Sequence, residues 1–421
     1  MLIRFTFKNF RSFYGETVFS MRANADTRYR ELNTTETRYG WLNKSAFVFG
    51  ANGGGKSNFI GAINYMKNTV LAEPGLQSGM IANADIFMFS ENSKETPSVF
   101  EAEFLVGGAR YEYGFELLNG AVSREYLYIK TKRKTPLFIR PGLDSEDITV
   151  SENMDDIKDL VQNTQRNALI LSLANESNNV TAMAIFRWFR NMKIFDTGDT
   201  RRLLSATIEY LENNEDERNN VLKLLQQADV NIVGFDFAIR SGEEQKNDLG
   251  MAPKKSFAKR VLPVRTVSLN TKHHVYNENW ELAGTVSTSL NLESAGTRKL
   301  FEIAGPVITT LESGGVMFID EIDSRLHPML VRSIIMMFNS TVNNQKGAQL
   351  ICCTNDALLL DEDIRRDQVY FTEKDERGVS KLYSLTDFKG VRKESKHLKQ
   401  YLLGALGAAP KLRDYFAERK I

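Results

Sequence analysis

Residues 50–57, which read GANGGGKS, constrain the fold of this chain more than any other segment. They match the pattern G-x-x-x-x-G-K-[ST], whose backbone N–H groups wrap around phosphate groups. The unbroken apolar run 46–49 before the loop is typical of a strand buried on both faces of a parallel sheet. Apolar residues at helical spacing follow the loop: Phe59, Ile60, Ile63 and Met66. Strand, loop and helix in this order predict an α/β fold with a phosphate-binding loop.

The residue types in the loop indicate which ligand it holds. In this pattern the lysine, here Lys56, reaches the β- and γ-phosphate oxygens, and the hydroxyl of Ser57 holds Mg²⁺. We therefore expect ATP and Mg²⁺ as ligands, with these binding residues: Gly50, Asn52, Gly53, Gly54, Gly55, Lys56, Ser57 and Asn58. A Gly-rich turn without a ligand is the alternative, and the strand and helix on either side disfavour it.

A second buried strand is predicted at 316–320, and it ends in two carboxylates, Asp320 and Glu321. The carboxyl edge of a parallel sheet is where an Asp is presented to Mg²⁺, so Asp320 is the candidate metal ligand beside Ser57. Glu321 is expected to point to the other side of the chain, where a carboxylate orients a water for attack on the γ-phosphate. Paired acids after a strand also occur as N-cap residues of helices, which is the alternative interpretation.

The turn Ser294-Ala295-Gly296 precedes another apolar pattern at helical spacing. A Ser-x-Gly turn at the start of a helix is a second anion site. In a head-to-tail dimer, Ser294 and Gly296 of one subunit would face the triphosphate held by Lys56 of the other. A plain N-capped helix explains the same residues equally well, so both interpretations stay open.

Three regions of the chain differ in sequence pattern. Period-two alternation between 97 and 140, with turns at Gly107-Gly108 and Asn119-Gly120, predicts an antiparallel β lobe. Helical spacing dominates from about 150 to 240, and the polar, Gly- and Lys-rich stretch 241–260 is the best candidate for a mobile loop. We expect an N-terminal lobe with the phosphate loop, an inserted helical lid, and a C-terminal lobe with the Ser294 turn and the acidic strand, over 1–145, 146–260 and 261–421.

Composition excludes several classes of protein. The 421 residues are 42% hydrophobic and 25% charged, as in ordinary folded chains, and 54 Lys and Arg face 53 Asp and Glu. No global charge therefore favours nucleic acid or a membrane surface. Cys352 and Cys353 are adjacent, which excludes a disulfide framework, and no apolar run approaches the ~20 residues of a membrane span. We expect a cytoplasmic protein without a membrane partner.

Other candidate sites have weaker patterns. The four histidines form no metal-ligand spacing, and His327-Pro328 is expected to start a helix. Basic clusters at 130–134 and 254–260 leave contact with nucleic acid open, although solvated loops are the preferred interpretation.

Beyond single motifs, the chain resembles the ABC-type ATPase heads of the RecF, SMC and OLD group, and more closely the AAA-type ATPases of bacterial abortive-infection and phage-defence systems such as AbiL (RloA-like) and PARIS. The resemblance rests on six blocks: NFRSF at 9–13, GANGGGKS at 50–57, FEAEFLVGGARYEYGFEL at 100–117, LESAGTRKL at 292–300, VMFIDEIDSRLHP at 316–328 and RRDQVYFTEKDERGVSKLYSLTDF at 365–388. The last block points to the narrower group. The resemblance implies an ABC-ATPase head with a mixed, largely parallel core sheet, an antiparallel β lobe and an inserted helical lid.

The resemblance also implies a role for each motif residue. Lys56 and Ser57 would bind phosphate and Mg²⁺, Asp320 would complete the metal site, and Glu321 would activate water. Ser294, with Gly296, would form the signature loop that acts in trans. The implied activity is Mg²⁺-dependent ATP hydrolysis in a head-to-tail dimer or a larger homo-oligomer. The implied role is control of a separate effector, a nuclease or a toxin, in anti-phage defence.

Three further residues take their roles only from the resemblance. Asp323 occupies the place of the loop that communicates between the two sites of such a dimer. Asn9 and Arg11 match an N-terminal motif that lies near the nucleotide in such heads, so Arg11 joins the nucleotide-binding residues. For these two, solvated residues at the end of a strand are the alternative.

This sequence departs from the family pattern at two places. Asn355 stands where these ATPases often carry a switch histidine; an amide hydrogen-bonds a γ-phosphate oxygen but carries no positive charge, so we expect Asn355 in the catalytic site and slow hydrolysis. The signature reads Ser294-Ala295-Gly296 without the usual double glycine, and no glutamine loop is identified. Two alternatives stay open: a nucleotide-stabilised scaffold with little turnover, and a RecF-like DNA repair ATPase whose hydrolysis DNA would stimulate.

Overall fold

The computed structural model describes residues 1–72, 84–143, 147–162, 164–196, 198–212, 215–242, 264–389 and 396–409. The chain forms two units, Met1–Leu203 with Pro306–Ile421 and Leu204–Gly305. The first unit contains a six-stranded and a seven-stranded sheet, and the second contains a three-stranded sheet.

The elements follow in chain order. The strands are β1 (Leu2–Lys8), β2 (Thr17–Ser20), β3 (Thr34–Thr37), β4 (Gly40–Asn43), β5 (Ser45–Phe49), β6 (Ser98–Val106), β7 (Ala109–Leu118), β8 (Ala121–Lys130), β9 (Lys134–Arg140), β10 (Thr149–Val150), β11 (Lys193–Asp196), β12 (Ile232–Gly242), β13 (Val264–Tyr276), β14 (Leu282–Ser289), β15 (Val316–Asp320), β16 (Gln349–Thr354), β17 (Val369–Lys374) and β18 (Ser380–Ser384). The helices are α1 (Arg30–Asn33), α2 (Lys56–Leu71), α3 (Lys158–Val161), α4 (Ile170–Glu176), α5 (Val180–Asn191), α6 (Thr200–Glu212), α7 (Glu215–Leu225), α8 (Ala295–Ser313), α9 (Pro328–Asn339) and α10 (His397–Leu402). Among the described helices, none combines the length and the apolar character that crossing a membrane requires.

The six-stranded core sheet of the first unit has the order β11-β15-β16-β5-β17-β18. Its first five strands run parallel, and β18 pairs antiparallel with β17. Every residue of β5, β15 and β16 is buried, as expected for strands covered on both faces. Phe49 lies opposite Thr354 and Asp196 lies opposite Asp320, so these strands end together at one edge. The expected α/β fold with a mixed, largely parallel core sheet is confirmed.

The antiparallel β lobe is confirmed as a seven-stranded sheet in the order β10-β9-β8-β7-β6-β1-β2. Two of its hairpins turn at Gly107-Gly108 and at Asn119-Gly120, the dipeptides that predicted them. All four residues have φ between +50° and +77°, the backbone that tight hairpin turns require and that Gly and Asn tolerate. Local turn chemistry therefore sets the register of β6, β7 and β8.

Helix α2 packs against both sheets through its predicted apolar face. Phe59 is buried, and its ring centroid lies 5.1 Å from that of Phe19 in the lobe region and 6.4 Å from that of Phe318 in the core sheet. The other three residues of the face are buried in the same cluster: Ile60, Ile63 and Met66. This packing holds the first turn of α2 at the carboxyl edge, where β5 ends.

The region predicted as a helical lid, 146–260, is divided between the two units. Helices α4 and α5 contribute to the core cluster of the first unit, and after α5 the strand β11 joins the core sheet beside β15. A four-residue strand is too short to show in a helical pattern, so the sequence does not reveal this return to the sheet. The unit boundaries therefore differ from those expected at 145 and 260, and the three-part division stays a prediction. Of the expected mobile loop, residues 243–260 lie outside the described part of the chain.

Two of the four basic residues in the cluster 130–134 are paired inside the β lobe. Lys130 lies 3.2 Å from Glu103 and also pairs with Glu112, which Lys134 contacts as well. Both carboxylates are buried and depend on these cations for compensation. Lys130 and Lys134 therefore have a structural role in the lobe. The second cluster, 254–260, lies outside the described residues.

Other residues noted in the sequence lie at a helix start and in the core sheet. His327 precedes α9 as predicted: its Nδ1 accepts a hydrogen bond from the Met329 N–H at 3.2 Å, and Pro328 is the first residue of the helix. Cys352 and Cys353 are free, buried thiols in β16.

Candidate functional site

The loop after β5 has the backbone of a phosphate cradle. Gly53 and Gly55 have φ of +76° and +124°, in the region that favours glycine, and Gly55 directly precedes α2. At Gly50 a Cβ would lie 2.4 Å from the carbonyl oxygen of Thr372 on β17. Backbone conformation and close packing therefore require glycine at these places, and the first turn of α2 offers N–H groups to an anion.

The tip of the loop is exposed, while Gly50 at its start and residues 54–56 are buried. Asn52 and Gly53 are exposed, and the buried Gly54 donates its N–H to the carbonyl of Ala51 at 3.0 Å. The motif therefore forms a tight turn with its polar tip in solvent.

Lys56 is buried, with 6% of its surface exposed, and its amine lies inside the loop. Nζ donates to the carbonyls of Gly50 and Ala51 at 2.6 and 3.3 Å, and to Oδ1 of Asn355 at 2.8 Å. Burial lowers the pKa of the Lys56 amine below its ordinary value, because desolvation disfavours the charged form. Lys56 and Asn355, which the sequence places in separate motifs, are thus joined by one hydrogen bond.

Two serines outside the motif support the loop. The Ser380 hydroxyl on β18 lies 2.9 Å from the carbonyl oxygen of Gly54 and 2.8 Å from the Ser12 hydroxyl. Ser12 Oγ also accepts a hydrogen bond from Nδ2 of Asn58 at 2.7 Å. Asn58 therefore braces the loop from α2.

The last described segment of the chain also contacts the loop. The carbonyl of Ala408 accepts a hydrogen bond from the Ala51 N–H at 2.9 Å, and the Ala408 N–H donates to Oε2 of Glu373 at 3.2 Å. Ala408 is buried and has φ of +54°, a conformation that costs about 1–2 kcal/mol for a residue other than glycine. The backbone after α10 thus fixes the second residue of the cradle.

Asp320 ends β15 beside the residue that follows Lys56. It is 5% exposed and accepts a hydrogen bond from the side chain of Ser57, while its buried Oδ1 has no hydrogen-bond partner among the described residues. Burial raises the pKa of Asp320, the hydrogen bond from Ser57 opposes the rise, and the charge of Asp196 adds to it. A buried carboxylate oxygen without a partner, next to a hydroxyl, fits Mg²⁺, which prefers oxygen ligands.

The chain reverses direction directly after Asp320. Glu321 is exposed and has φ of +51°, and its carbonyl accepts a hydrogen bond from the Ser324 N–H at 2.8 Å. The carboxylate oxygens of Asp323 lie 3.3 and 3.4 Å from the backbone nitrogen of Asn355, which donates to them. The acidic loop is therefore connected through Asn355 to Lys56.

The residues from β5 to the turn after β16 match a known family. Its model is described as "AAA domain, putative AbiEii toxin, Type IV TA system", and it covers residues 45–361. The chain belongs to this family. The match includes the cradle, the Ser294 turn, the acidic strand and Asn355, so all of these features lie within the AAA domain.

Among curated proteins, none matches the chain in sequence. Among solved structures, the chain is similar to an SMC head domain from Thermotoga maritima, with 14% identity and a TM-score of 0.42 over 91% of this chain and 98% of that one. It is also similar to an SmcHead bound to the C-winged helix domain of ScpA, with 13% identity and a TM-score of 0.43 over 91% and 97% of the two chains.

Of the two residues noted in the N-terminal block 9–13, which precedes the matched domain, only Arg11 is exposed. Asn9 is buried: Nδ2 donates to the carbonyls of Ser93 and Thr96 at 2.9 and 2.7 Å, which excludes the alternative of a solvated residue for Asn9. Arg11 pairs with Asp85 at 3.1 Å. With Ser12, Asn58 and Lys374 it lines an open cavity of about 1200 Å³ beside the cradle.

The turn at Ser294 belongs to the second unit. Ser294 Oγ accepts a hydrogen bond from the Thr297 N–H at 3.0 Å, so it acts as the N-cap of α8, and Gly296 lies in the first turn of that helix. Ser294 is exposed, as is Leu292, with 80% of its surface accessible. The N-capped helix is therefore present, and a contact made in trans stays a prediction.

The sequence patterns miss several residues at this edge. Ser12 lies inside the quoted NFRSF block, but its contact with the loop depends on β18. Ser380 and Thr372 lie in an ordinary alternating strand pattern, and Ala408 follows a short helix. No local sequence pattern indicates that these three residues contact the loop. Asp196 ends a strand that the sequence does not reveal, yet it lies next to Asp320 in register.

Proposed function

We propose that the chain is a Mg²⁺-dependent ATPase that binds the triphosphate of ATP at the carboxyl edge of the core sheet. The observation that carries the proposal is the joint position of Lys56, Asn355, Ser57 and Asp320, whose side chains form two hydrogen-bonded pairs at that edge. Lys56 is buried inside a glycine cradle, so it meets an anion with little competing water. The membership in an AAA family supports ATP as the ligand.

Each residue of the cradle has a distinct role in this proposal. The N–H groups of the glycine loop and of the first turn of α2 hold the phosphates, and Lys56 exchanges its carbonyl contacts for phosphate oxygens. Ser57 and Asp320 would hold Mg²⁺, which neutralises phosphate charge as it develops during transfer. Glu321 orients the attacking water, and Asn355 donates its amide to a γ-phosphate oxygen while keeping Lys56 in place.

The site is completed by a second copy of the chain. In the proposed head-to-tail dimer, Ser294 and Gly296 of the partner approach the γ-phosphate with the N-terminus of α8. Support comes from the exposure of Ser294 and from the length of α8, whose dipole favours an anion at its first turn. Closure of the dimer would then couple nucleotide state to assembly.

In the cell, we propose that the ATPase controls a separate effector, a nuclease or a toxin, in anti-phage defence. The description of the family, which includes the words "putative AbiEii toxin, Type IV TA system", supports a toxin–antitoxin context. The separate effector rests on the resemblance to AbiL and PARIS ATPases in the block 365–388. Asp323 transmits the state of one site to the other through its contact with Asn355.

The variant Glu321→Gln tests the proposed reaction. We expect it to bind ATP, to form a dimer that persists, and to release no phosphate, because an amide does not activate water. The matched control is Glu376→Gln, the same change at an exposed turn. Binding, light scattering and phosphate release are measured on the full-length chain. Phosphate release by Glu321→Gln at the wild-type rate would refute the assignment of Glu321.

A second candidate function is a nucleotide-stabilised scaffold. It is favoured by the contact of Lys56 with Asn355, an amide that carries no charge in the place of a switch histidine. In that case bound ATP orders the assembly and turnover is incidental. A Glu321→Gln chain that still protects cells from phage would favour the scaffold, whereas loss of protection would favour the ATPase.

A further inference from the structure

Asp196 lies beside Asp320 at the same edge and on the same face of the core sheet. The strands β11 and β15 are parallel, with Asp196 opposite Asp320 and Ile194 opposite Phe318. Ile194 and Phe318 both belong to the core cluster that contains Phe59 of α2. Side chains alternate along a strand with a period of two, so both aspartates face the side of the sheet that carries α2.

The two aspartates bring like charges together, and the groups that donate to Asp320 are neutral: the Ser57 hydroxyl, the Cys353 thiol and the Glu321 N–H. Neighbouring strands lie about 4.8 Å apart, so the pair repels unless a cation lies between or beside them. The Lys56 amine donates to two carbonyls and to Asn355. Asp320 is 5% exposed, and its buried Oδ1 accepts no hydrogen bond from any described residue. This unpartnered oxygen is an independent sign of a missing cation.

We propose that Asp196 is the second carboxylate of the divalent-cation site to which Ser57 and Asp320 also contribute ligands. The inference rests on the proposed function, because the phosphates of the nucleotide supply the remaining ligands. No group of three or more His, Cys, Asp or Glu in the described part of the chain suits a metal ion. This agrees with a Mg²⁺ site, which typically uses one or two carboxylates together with phosphate and water.

A purely structural role for Asp196 makes a different prediction. Its Oδ1 accepts a hydrogen bond from the Gly198 N–H at 2.8 Å, which shapes the turn before α6. Asparagine keeps this acceptor and removes only the charge, whereas alanine removes both. Asp199 provides a matched control on the same turn, because its Oδ1 accepts from the Arg202 N–H at 3.2 Å and asparagine caps a helix equally well.

The test is the thermodynamic coupling between metal and nucleotide in the full chain. The affinity for a non-hydrolysable ATP analogue is measured by calorimetry in Mn²⁺ and in EDTA, and the ratio of the two affinities is the coupling factor. We expect Asp196→Asn and Asp196→Ala each to reduce this factor about tenfold. Asp199→Asn should leave it unchanged. The affinity in EDTA should stay constant or rise, because one negative charge near the triphosphate is gone.

Two results would overturn the proposal while leaving the ATPase standing. One is a wild-type coupling factor in Asp196→Asn, and the other is a reduction in Asp196→Ala alone, which would assign Asp196 to the turn. If the wild-type chain binds the analogue in neither condition, the proposed function fails, and the role of Asp196 fails with it.

Discussion

Two buried carboxylates, Glu125 in the β lobe and Asp320 at the carboxyl edge, show how structure and function use the same chemistry differently. Glu125 is fully buried and accepts hydrogen bonds from the N–H groups of Ile170 and Leu171 at 2.7 and 3.1 Å, and from the Tyr113 hydroxyl at 3.0 Å. Asp320 is almost as buried, but its Oδ1 accepts no hydrogen bond from the described residues. The chain itself supplies the hydrogen-bond donors of Glu125, whereas Oδ1 of Asp320 is left for a ligand to contact.

The same contrast holds for backbone strain. Asn119 in a lobe hairpin and Glu321 at the edge have φ of +50° and +51°. Asn is tolerated in the left-handed region and the hairpin requires it, whereas Glu has no such tolerance. Strain that a turn does not need is concentrated at functional sites. The edge therefore combines a buried carboxylate oxygen without a described partner and a Glu at positive φ, whereas Glu125 and Asn119 in the lobe show neither feature.

The largest expected effect is on the stability of the lobe. Glu125→Ala leaves two N–H groups, the Tyr113 hydroxyl and the nearby charge of Arg140 without their carboxylate. We expect the free energy of unfolding to fall by about 3–5 kcal/mol. Urea unfolding followed by tryptophan fluorescence measures it, and one of the three tryptophans, Trp188, stacks on Phe104 in this cluster. A loss below about 1 kcal/mol would mean that Glu125 does not stabilise the fold more than Asp320 does, which would contradict the comparison.

The converse is expected at the edge. Asp320→Asn removes a buried charge that lacks a full set of partners, so the chain without nucleotide should be as stable as the wild type or more stable. Affinity for Mg²⁺-nucleotide should fall about 100-fold, because a metal ligand is lost. Calorimetry and urea unfolding on the same preparation check both statements. Reduced stability with unchanged Mg²⁺-nucleotide affinity would contradict the comparison.

The pH dependence of stability sharpens the account of Glu125. Burial raises the pKa of Glu125 to about 7, against hydrogen bonds from Ile170 and Leu171. Between about pH 4.5 and 7 the native state therefore keeps a proton on Glu125 that the unfolded state releases. The contribution of Glu125 to the free energy of unfolding is complete below pH 4.5 and is lost as pH rises towards 7. We expect the loss to be about 3 kcal/mol in order of magnitude. In Glu125→Gln this part of the pH profile should be flat, and an unchanged slope would assign it to other groups.

The smallest expected effect concerns strain. Glu321→Gly should raise the stability of the nucleotide-free chain by about 0.5–1 kcal/mol, because glycine adopts positive φ without steric cost. Asn119→Gly, the matched change in the lobe, should shift stability by only a few tenths of a kcal/mol. Parallel urea titrations compare the two. An equal gain at both positions would show that the edge stores no more strain than an ordinary turn.

The sequence predicts those parts of the site that local pattern determines. The glycine loop, the buried strand before it and the acidic strand each carry their own signal, and the structure places Lys56, Ser57, Asp320 and Asn355 at one edge. Hairpin positions in the lobe follow from Gly and Asn at positive φ. What the sequence misses depends on strand order: Asp196 reaches Asp320 only because β11 pairs with β15, and Ser380 reaches Gly54 only through the β17–β18 hairpin.

The boundaries of the helical region are missed for a related reason. Helices α4 and α5 have ordinary amphipathic spacing, which gives no sign of which sheet they cover. Their apolar faces pack in the cluster of the first unit, and Glu125 of the lobe accepts from the first N–H groups of α4. A contact between a strand residue and a helix start so distant in sequence has no local signature.

A crystal structure of the chain with Mg²⁺ and a non-hydrolysable ATP analogue tests the central claim most directly. We predict the triphosphate within the loop 50–57, the Lys56 amine on its β- and γ-oxygens, and the cation within about 2.0–2.2 Å of an oxygen of Ser57 or Asp320. Triphosphate bound elsewhere, or a cation that avoids both residues, would contradict the account.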